Sequence, residues 1–319
     1  MSLLLNRIIN LIIGGFIWLV LAEMLFMNSA AAGNNKGYRD ILFYHGKYIA
    51  VGTDGRIDYI TNSGEKTAVL CPDRNNLNCI TTNDREVVVA GDNGTILFSS
   101  DGNIFSLINS RTNSDINGIT YKNGLFVAGA DEGTILISRN GESWSIINTE
   151  AMGNIVSVTA SESYYIGVTE RGEILTSKDG FNWNIKNYNK EYAGYQKSCL
   201  FKEVIAANNR IVIIGMHDDN SPAVLISTLG NVWTERSLVY DDNQGIMKFL
   251  TNEPNSITYD SARDQFILAC DKGEIFTLPS CSKCNESAII SDRDLYAIIC
   301  TGNLLICVGQ EFSVNILNL

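Results

Sequence analysis

The sequence predicts an all-β fold, a single seven-bladed β-propeller with four antiparallel strands per blade, on three observations. A short apolar strand ending in a small residue recurs seven times. The copies end at Gly52 (KYIAVG), Gly91 (EVVVAG), Gly129 (LFVAG), Gly167 (YYIGV), Gly215 (IVIIG), Cys270 (FILAC) and Gly309 (LLICVG). Their period is about 40 residues, with room for several short strands, which is how a propeller blade reads. Beyond the N-terminal region no segment keeps a 3.6-residue apolar period, so helix is scarce.

One copy, Asn123 to Ile147, shows why each element forms. Leu125 to Gly129 and Thr134 to Ser138 are β-branched-rich strands joined by the turn Ala130-Asp131-Glu132-Gly133. Asn140-Gly141 reverses the chain, since both residues tolerate positive φ. Ser143 to Ile147 then forms a third strand carrying Trp144. Runs this short cannot bury an apolar face alone and need copies of themselves alongside. Each copy is preceded by one more apolar strand (DILFY, LNCIT, NGITY, IVSVT, EVIAA, NSITY, LYAII), which makes four per blade. The seventh copy, running to Ser313–Leu319, shows one strand fewer.

The turn between the third and fourth strands carries the most specific motif. It reads Ser99-x-Asp101-Gly102-x-x-Phe105, Ser138-x-Asn140-Gly141-x-x-Trp144 and Ser177-x-Asp179-Gly180-x-x-Trp183. A fourth copy, Ser227-x-Leu229-Gly230-x-x-Trp233, lacks the side-chain acceptor, and Thr61 to Thr67 is a decayed example. A short carboxylate or amide at the third position accepts from N–H groups of its own turn, the glycine permits positive φ, and the aromatic packs into the blade. These turns resemble the Asp-box, or BNR, repeat of sialidases, sortilin-type receptors and photosystem II assembly-factor-type propellers. The resemblance implies a propeller that holds its blades with these residues and does no chemistry with them.

Residues 1–32 read as a signal peptide. Arg7 supplies the positive start, Leu11 to Ala22 the apolar core, and Ala30-Ala31-Ala32 a cleavage site before Gly33. An uncleaved membrane anchor is the alternative, because the apolar run from Ile8 to Met27 approaches spanning length. Either reading places the propeller, residues 33–319, in the periplasm or outside the cell, with the membrane touched only through the N-terminal segment. The formal net charge of −11 repels phosphate backbones and argues against nucleic acid as a partner.

All eight cysteines lie beyond the leader, which an oxidising compartment would pair. Cys71 with Cys79, flanking a polar loop, and Cys281 with Cys284, standing where blade 6 should carry its turn motif, are the disulfide candidates. Zinc at the latter would need two more ligands, and the chain has two histidines and no second C-x-x-C.

No catalytic residue is assigned. The arginine-triad opening of sialidases is missing, as are a G-x-S-x-G elbow, a phosphate-binding glycine loop and H-E-x-x-H. A two-carboxylate glycosidase has no evident pair. Function instead points to where the repeat is stretched, in Lys186–Glu203, Met216–Ala223 and Val239–Asn255. Such insertions emerge on the face opposite the motif turns and commonly form the binding face. Tyr188, Tyr192 and Tyr195 are the candidate aromatic anchors, with His217, Asp218, Asp219, Asp241 and Asp242 beside them. Calcium is the one ion those oxygens would suit, and no other cofactor is implied. A protein partner is the leading expectation and a glycan the alternative.

Overall fold

A computed structural model describes residues 36–191, 198–241, 246–279 and 285–319. The expected leader, Tyr192, Tyr195, Asp242, Cys281 and Cys284 lie outside the described residues. Gly37–Leu319 form one unit in which sheets repeat around an axis. Six blades are four-stranded antiparallel meanders, at residues 38–68, 77–108, 116–148, 155–187, 199–235 and 254–289. Blade 7 has three strands among the described residues, Leu295–Thr301, Leu304–Gly309 and Val314–Asn318. A separate hairpin, Val239–Asp241 paired with Met247–Phe249, stands between blades 5 and 6.

The expected strands fall where the apolar runs place them, with Lys47–Gly52, Thr134–Ser138 and Leu304–Gly309 reproduced to the residue. Among the described residues helix is confined to single turns. Three 3₁₀ turns, among them Thr53–Gly55, follow second strands, and one α-helical turn, Tyr188–Glu191, follows blade 4. In each 3₁₀ turn the middle residue is left-handed (Asp54, φ 59°; Asn93, φ 54°; Lys272, φ 55°). Its N–H is taken by an Asn or Asp at the entry to the next blade: Asn76, Asp115 and Asp294 respectively. Gly55 is needed there twice over: φ is +68°, and a Cβ would lie 2.2 Å from the Asp73 carbonyl oxygen.

The core is not on the axis. It consists of seven apolar clusters, one in each seam between neighbouring blades. The seam between blades 7 and 1 is built from Tyr38, Tyr48, Ile60, Ile306 and Val308, so the ring closes by side-chain packing. A bridge between Gly37 and Gln310 adds to it. The innermost strands, from Tyr38–Tyr44 to Leu295–Thr301, pack side by side around the axis. Each carries a β-bulge near its start. The bulge turns the side chains of Arg39, Asn78, Asn117, Val156, Lys202, Asn255 and Tyr296 toward the axis, as bulges re-aim side chains at barrel rims.

Candidate functional site

The motif turns are structural. Asp101 Oδ1 accepts from the N–H groups of Asn103 (2.8 Å) and Ile104 (3.2 Å). Asn140 Oδ1 does the same for Glu142 (3.1 Å) and Ser143 (2.9 Å), and Asp179 Oδ1 for Phe181 (2.8 Å) and Asn182 (2.9 Å). The Asn103 N–H, then that of Ile104, holds the Asp101 carboxyl down to about 2, and Asn182 lowers Asp179 further. Ser138, Ser177 and Ser227 each accept from the following glycine N–H (Gly141, Gly180, Gly230) at 2.9 Å. Ser99 donates to Asp101. The Trp144 and Trp183 indole N–H groups donate to the Gly141 and Gly180 carbonyls at 2.9 and 3.0 Å, and Trp233 is buried between blades 4 and 5. Gly102 is left-handed at φ +69°, and a Cβ there would meet the Tyr44 ring of blade 1 at 2.5 Å. All these turns therefore hold blades together, and their carboxylates are committed to backbone.

On the opposite face the three stretched segments meet. A groove of about 760 Å³ is lined by Tyr188 from the first, His217 and Asp219 from the second, and Phe249 and Leu250 from the third, with Glu235 between them. Tyr188 is not the exposed anchor the sequence suggested. The chain turns back through its helical turn, so the ring is 8% exposed, packed at 5.9 Å from Phe201. His217 is buried, its Nε2 lies 2.9 Å from Glu235 Oε1, and its Nδ1 has no partner. Asp219 closes its own turn by accepting from the Ser221 N–H and hydroxyl (3.1 and 2.6 Å), and Asp218 accepts from the Ser198 N–H. Asp241 is exposed at the end of its hairpin strand, and it does not line the groove. Among the described residues no group of three or more His, Cys, Asp or Glu side chains could hold a metal ion.

The exposed anchors are instead apolar residues of the hairpin. Phe249 is 69% exposed at the groove, with Met247 and Ile246 also exposed next to it. Sequence reasoning missed them because isolated apolar residues in a β protein read as core. Cys199 pairs across strands with His217, which together with Glu235 resembles a nucleophile, base and orienting acid. Burial, helped by the Glu235 charge, pushes the Cys199 thiol up to about 12, so it stays protonated and inert at neutral pH.

Cys71 and Cys79, paired in the sequence reading, are both free. Cys71 packs in the seam between blades 1 and 2, whereas Cys79 lies in the seam between blades 2 and 3 with its thiol toward the Ala90 carbonyl. Opposite faces of one strand sheet separate them.

A second site lies on the axis, where a polar cavity of about 310 Å³ is lined by all seven innermost strands. Three asparagines at bulge positions latch neighbouring blades. Asn78 donates to Asp92 and to the Ile116 carbonyl (2.8 and 3.1 Å), Asn117 to Asp131 and Ile155 (2.9 and 3.2 Å), and Asn255 to Asp271 and Leu295 (2.8 and 3.0 Å). Two blades differ by carrying charge pairs there, Arg39-Asp40 and Lys202-Glu203. Asp40 Oδ2 accepts from the Ile80 N–H of blade 2 (2.8 Å), and Glu203 Oε2 from the Ile257 N–H of blade 6 (2.9 Å). Enclosure by protein pushes Asp40 up to about 7, against the N–H groups of Ile80 and Ile41. Enclosure and the Asp40 charge push Glu203 up to about 8. Aligning the copies at the first residues of DILFY and EVIAA would have exposed this pair, because the other blades have uncharged residues in the same slot.

A carboxyl raised on folding keeps its proton longer in the folded state than in the unfolded one. Its stabilisation is therefore complete below the ordinary carboxylate value and is lost as pH rises through about 7 for Asp40 and about 8 for Glu203. Urea melts at pH 5, 6.5 and 8 are expected to show falling stability, and Asp40→Asn with Glu203→Gln is expected to flatten that slope. An unchanged slope in the double variant would mean that other groups set it.

Fold and site together define the chain as a seven-bladed β-propeller with a grooved insertion face and a polar axial cavity. Solved structures of the same architecture include YCF48 bound to D1 peptide, at 15% identity and TM-score 0.66, covering 90% of this chain and 93% of that one. YCF48 from Cyanidioschyzon merolae matches at 16% identity and TM-score 0.63, over 89% of this chain and 96% of that one. The β-propeller domain of Cps50 (Swd1) from Myceliophteria thermophila matches at 8% identity and TM-score 0.67, over 89% and 97%. At these identities the likeness is one of fold. No protein-family model and no curated protein matches the chain.

Proposed function

We propose that this chain is an exported, non-catalytic propeller of the Asp-box type that binds an extended segment of a protein partner across its insertion face. The observation that carries this reading is the groove. It is built from the segments that the repeat does not require, and it is flanked by Phe249, Met247 and Ile246, which solvent exposes. Exposed apolar side chains in a cluster commonly mark interaction sites. Glu235 and Asp219 outnumber Arg236 along the groove, and on a chain of net charge −11 they favour a segment with an apolar side chain flanked by basic residues. YCF48 supports the mode of binding as a propeller of this shape seen with a peptide bound. The commitment of every motif carboxylate to backbone, and the protonated Cys199, support the absence of catalysis.

The test is site-specific photocrosslinking, with the crosslinker placed at Phe249 or, as a control on the opposite face, at Ile104. The expected result is one protein adduct from position 249, reproduced with purified partner, and none from 104. Equal labelling from both, or no adduct from 249 with purified partner, would overturn the reading.

One observation favours a second reading, a glycan-acting propeller: the Asp40 and Glu203 carboxyls share the axial cavity. Glycoside hydrolysis places two carboxyls across one site, one protonated as the acid and one ionised as nucleophile or base. Each, however, already uses an oxygen to satisfy a backbone N–H of the next blade. Binding on a glycan array that is lost in Asp40→Asn would establish this reading, and no binding would dismiss it.

A further inference from the structure

Blade 5 departs from the turn motif that blades 2 to 4 share. In blades 2, 3 and 4 the third motif residue takes two backbone N–H groups, but blade 5 has Leu229, which has no acceptor to offer. The Ser227 hydroxyl keeps its part of the motif, accepting from Gly230 N at 2.9 Å. Leu229 does not compensate by packing, since it is 67% exposed, and Val232 on the same turn is 66% exposed. A position that forgoes hydrogen bonds and also wets an apolar side chain departs from local consistency, as functional positions do.

The surroundings show what such a position could serve. Leu229 and Tyr164 both line two adjoining clefts, of about 550 and about 530 Å³, one on either side of the turn. Phe181, on the motif turn of blade 4, is half-exposed nearby in the sequence of turns on this face. On a chain of net charge −11, the cleft walls bring together Lys122, Lys178 and Lys186. Lys122 reaches the Ser161 carbonyl, and the Lys178 ammonium stands 5.8 Å from the centre of the Tyr164 ring. The acids lining the clefts are Glu162 and Asp179, and Asp179 is committed to the N–H groups of its turn.

We propose that Leu229, Val232 and Tyr164 form a second docking surface, beside the motif turn of blade 5 and separate from the insertion groove, for an acidic extended segment of a partner protein that carries one large apolar side chain. The apolar side chain enters beside Leu229, and the segment's carboxylates lie along the lysines. This surface is independent of the insertion groove, because it shares no residue with it.

The test uses the full chain and a phage-displayed library of acidic decapeptides with Leu or Phe at the centre, beside basic and uncharged libraries of the same design. Selected peptides are then measured by fluorescence anisotropy. Acidic peptides are expected to be selected and to bind at least about tenfold more tightly than their basic counterparts, an advantage that salt screens. Leu229→Asn is the decisive variant. It restores the turn acceptor, so it is expected to raise the melting temperature by about 2 °C while weakening the acidic peptide at least about tenfold. Lys178→Glu is expected to weaken it as well, and Phe249→Ala to leave it unchanged. The proposal is overturned if no acidic peptide is selected, or if Leu229→Asn keeps full binding. It is also overturned if Leu229→Asn lowers the melting temperature, or if sedimentation shows a dimer that this substitution disperses, since the surface would then pack the chain or a second copy of it.

Discussion

Replacing Trp144 with alanine is expected to lower the unfolding free energy by about 3–5 kcal/mol, the range for truncating a fully buried Trp or Phe. The ring is 1% exposed and fills the seam between blades 2 and 3 with Phe126, Ala128 and Leu136. Truncation removes those contacts and leaves a cavity that rigid β-strands on both sides cannot collapse to fill. It also removes the indole donor that satisfies the Gly141 carbonyl at 2.9 Å. Each seam is a separate cluster, so the damage starts locally, yet the ring transmits it because an opened seam releases both flanking blades. Chemical denaturation monitored by fluorescence of the remaining tryptophans checks the value. A loss below about 1 kcal/mol would mean that the seam repacks. Partner affinity of the folded fraction should not change, because Trp144 belongs to the seam between blades 2 and 3 and does not line the groove.

The second large effect falls on binding. Phe249→Ala combined with Met247→Ala is expected to weaken the partner about 5- to 150-fold, or about 1–3 kcal/mol, as loss of exposed aromatic anchors does at interfaces. Both side chains project from the hairpin strand Met247–Phe249, which pairs with Val239–Asp241 through backbone that alanine preserves. Both are exposed, so the same double variant should hold its stability to within about 0.5 kcal/mol. Isothermal titration with the purified partner, run beside urea denaturation, separates the two effects. A protein that binds normally but unfolds early would mean that the hairpin braces blades 5 and 6.

The architecture was legible because its signals are local and repeated. The apolar runs ending at Gly52, Gly91 and Gly309 mark second strands whose partners on either side are fixed by short turns. The Ser-x-Asp-Gly turns could be read for the same reason, since Asp101 and Asp179 bond within a few residues of themselves. The sites were less legible because they are assembled from distant residues. Tyr188 was assigned to the surface from the polarity of its neighbours, but a helical turn brings it back against Phe201. Asp40 and Glu203 sit in strands whose alternation is broken by a bulge, so their direction toward the axis cannot be read from the pattern. The staple between Cys71 and Cys79 failed because closeness in sequence does not decide which seam a side chain enters.

Binding across the insertion face is the central claim, and hydrogen–deuterium exchange of the complex tests it most directly. Amides in 217–223 and 246–251 are predicted to exchange more slowly when the partner is bound, with those of the motif turns and of the innermost strands unchanged. Protection confined to residues 39–40 and 202–203 at the axial cavity, with 246–251 unaffected, would contradict it.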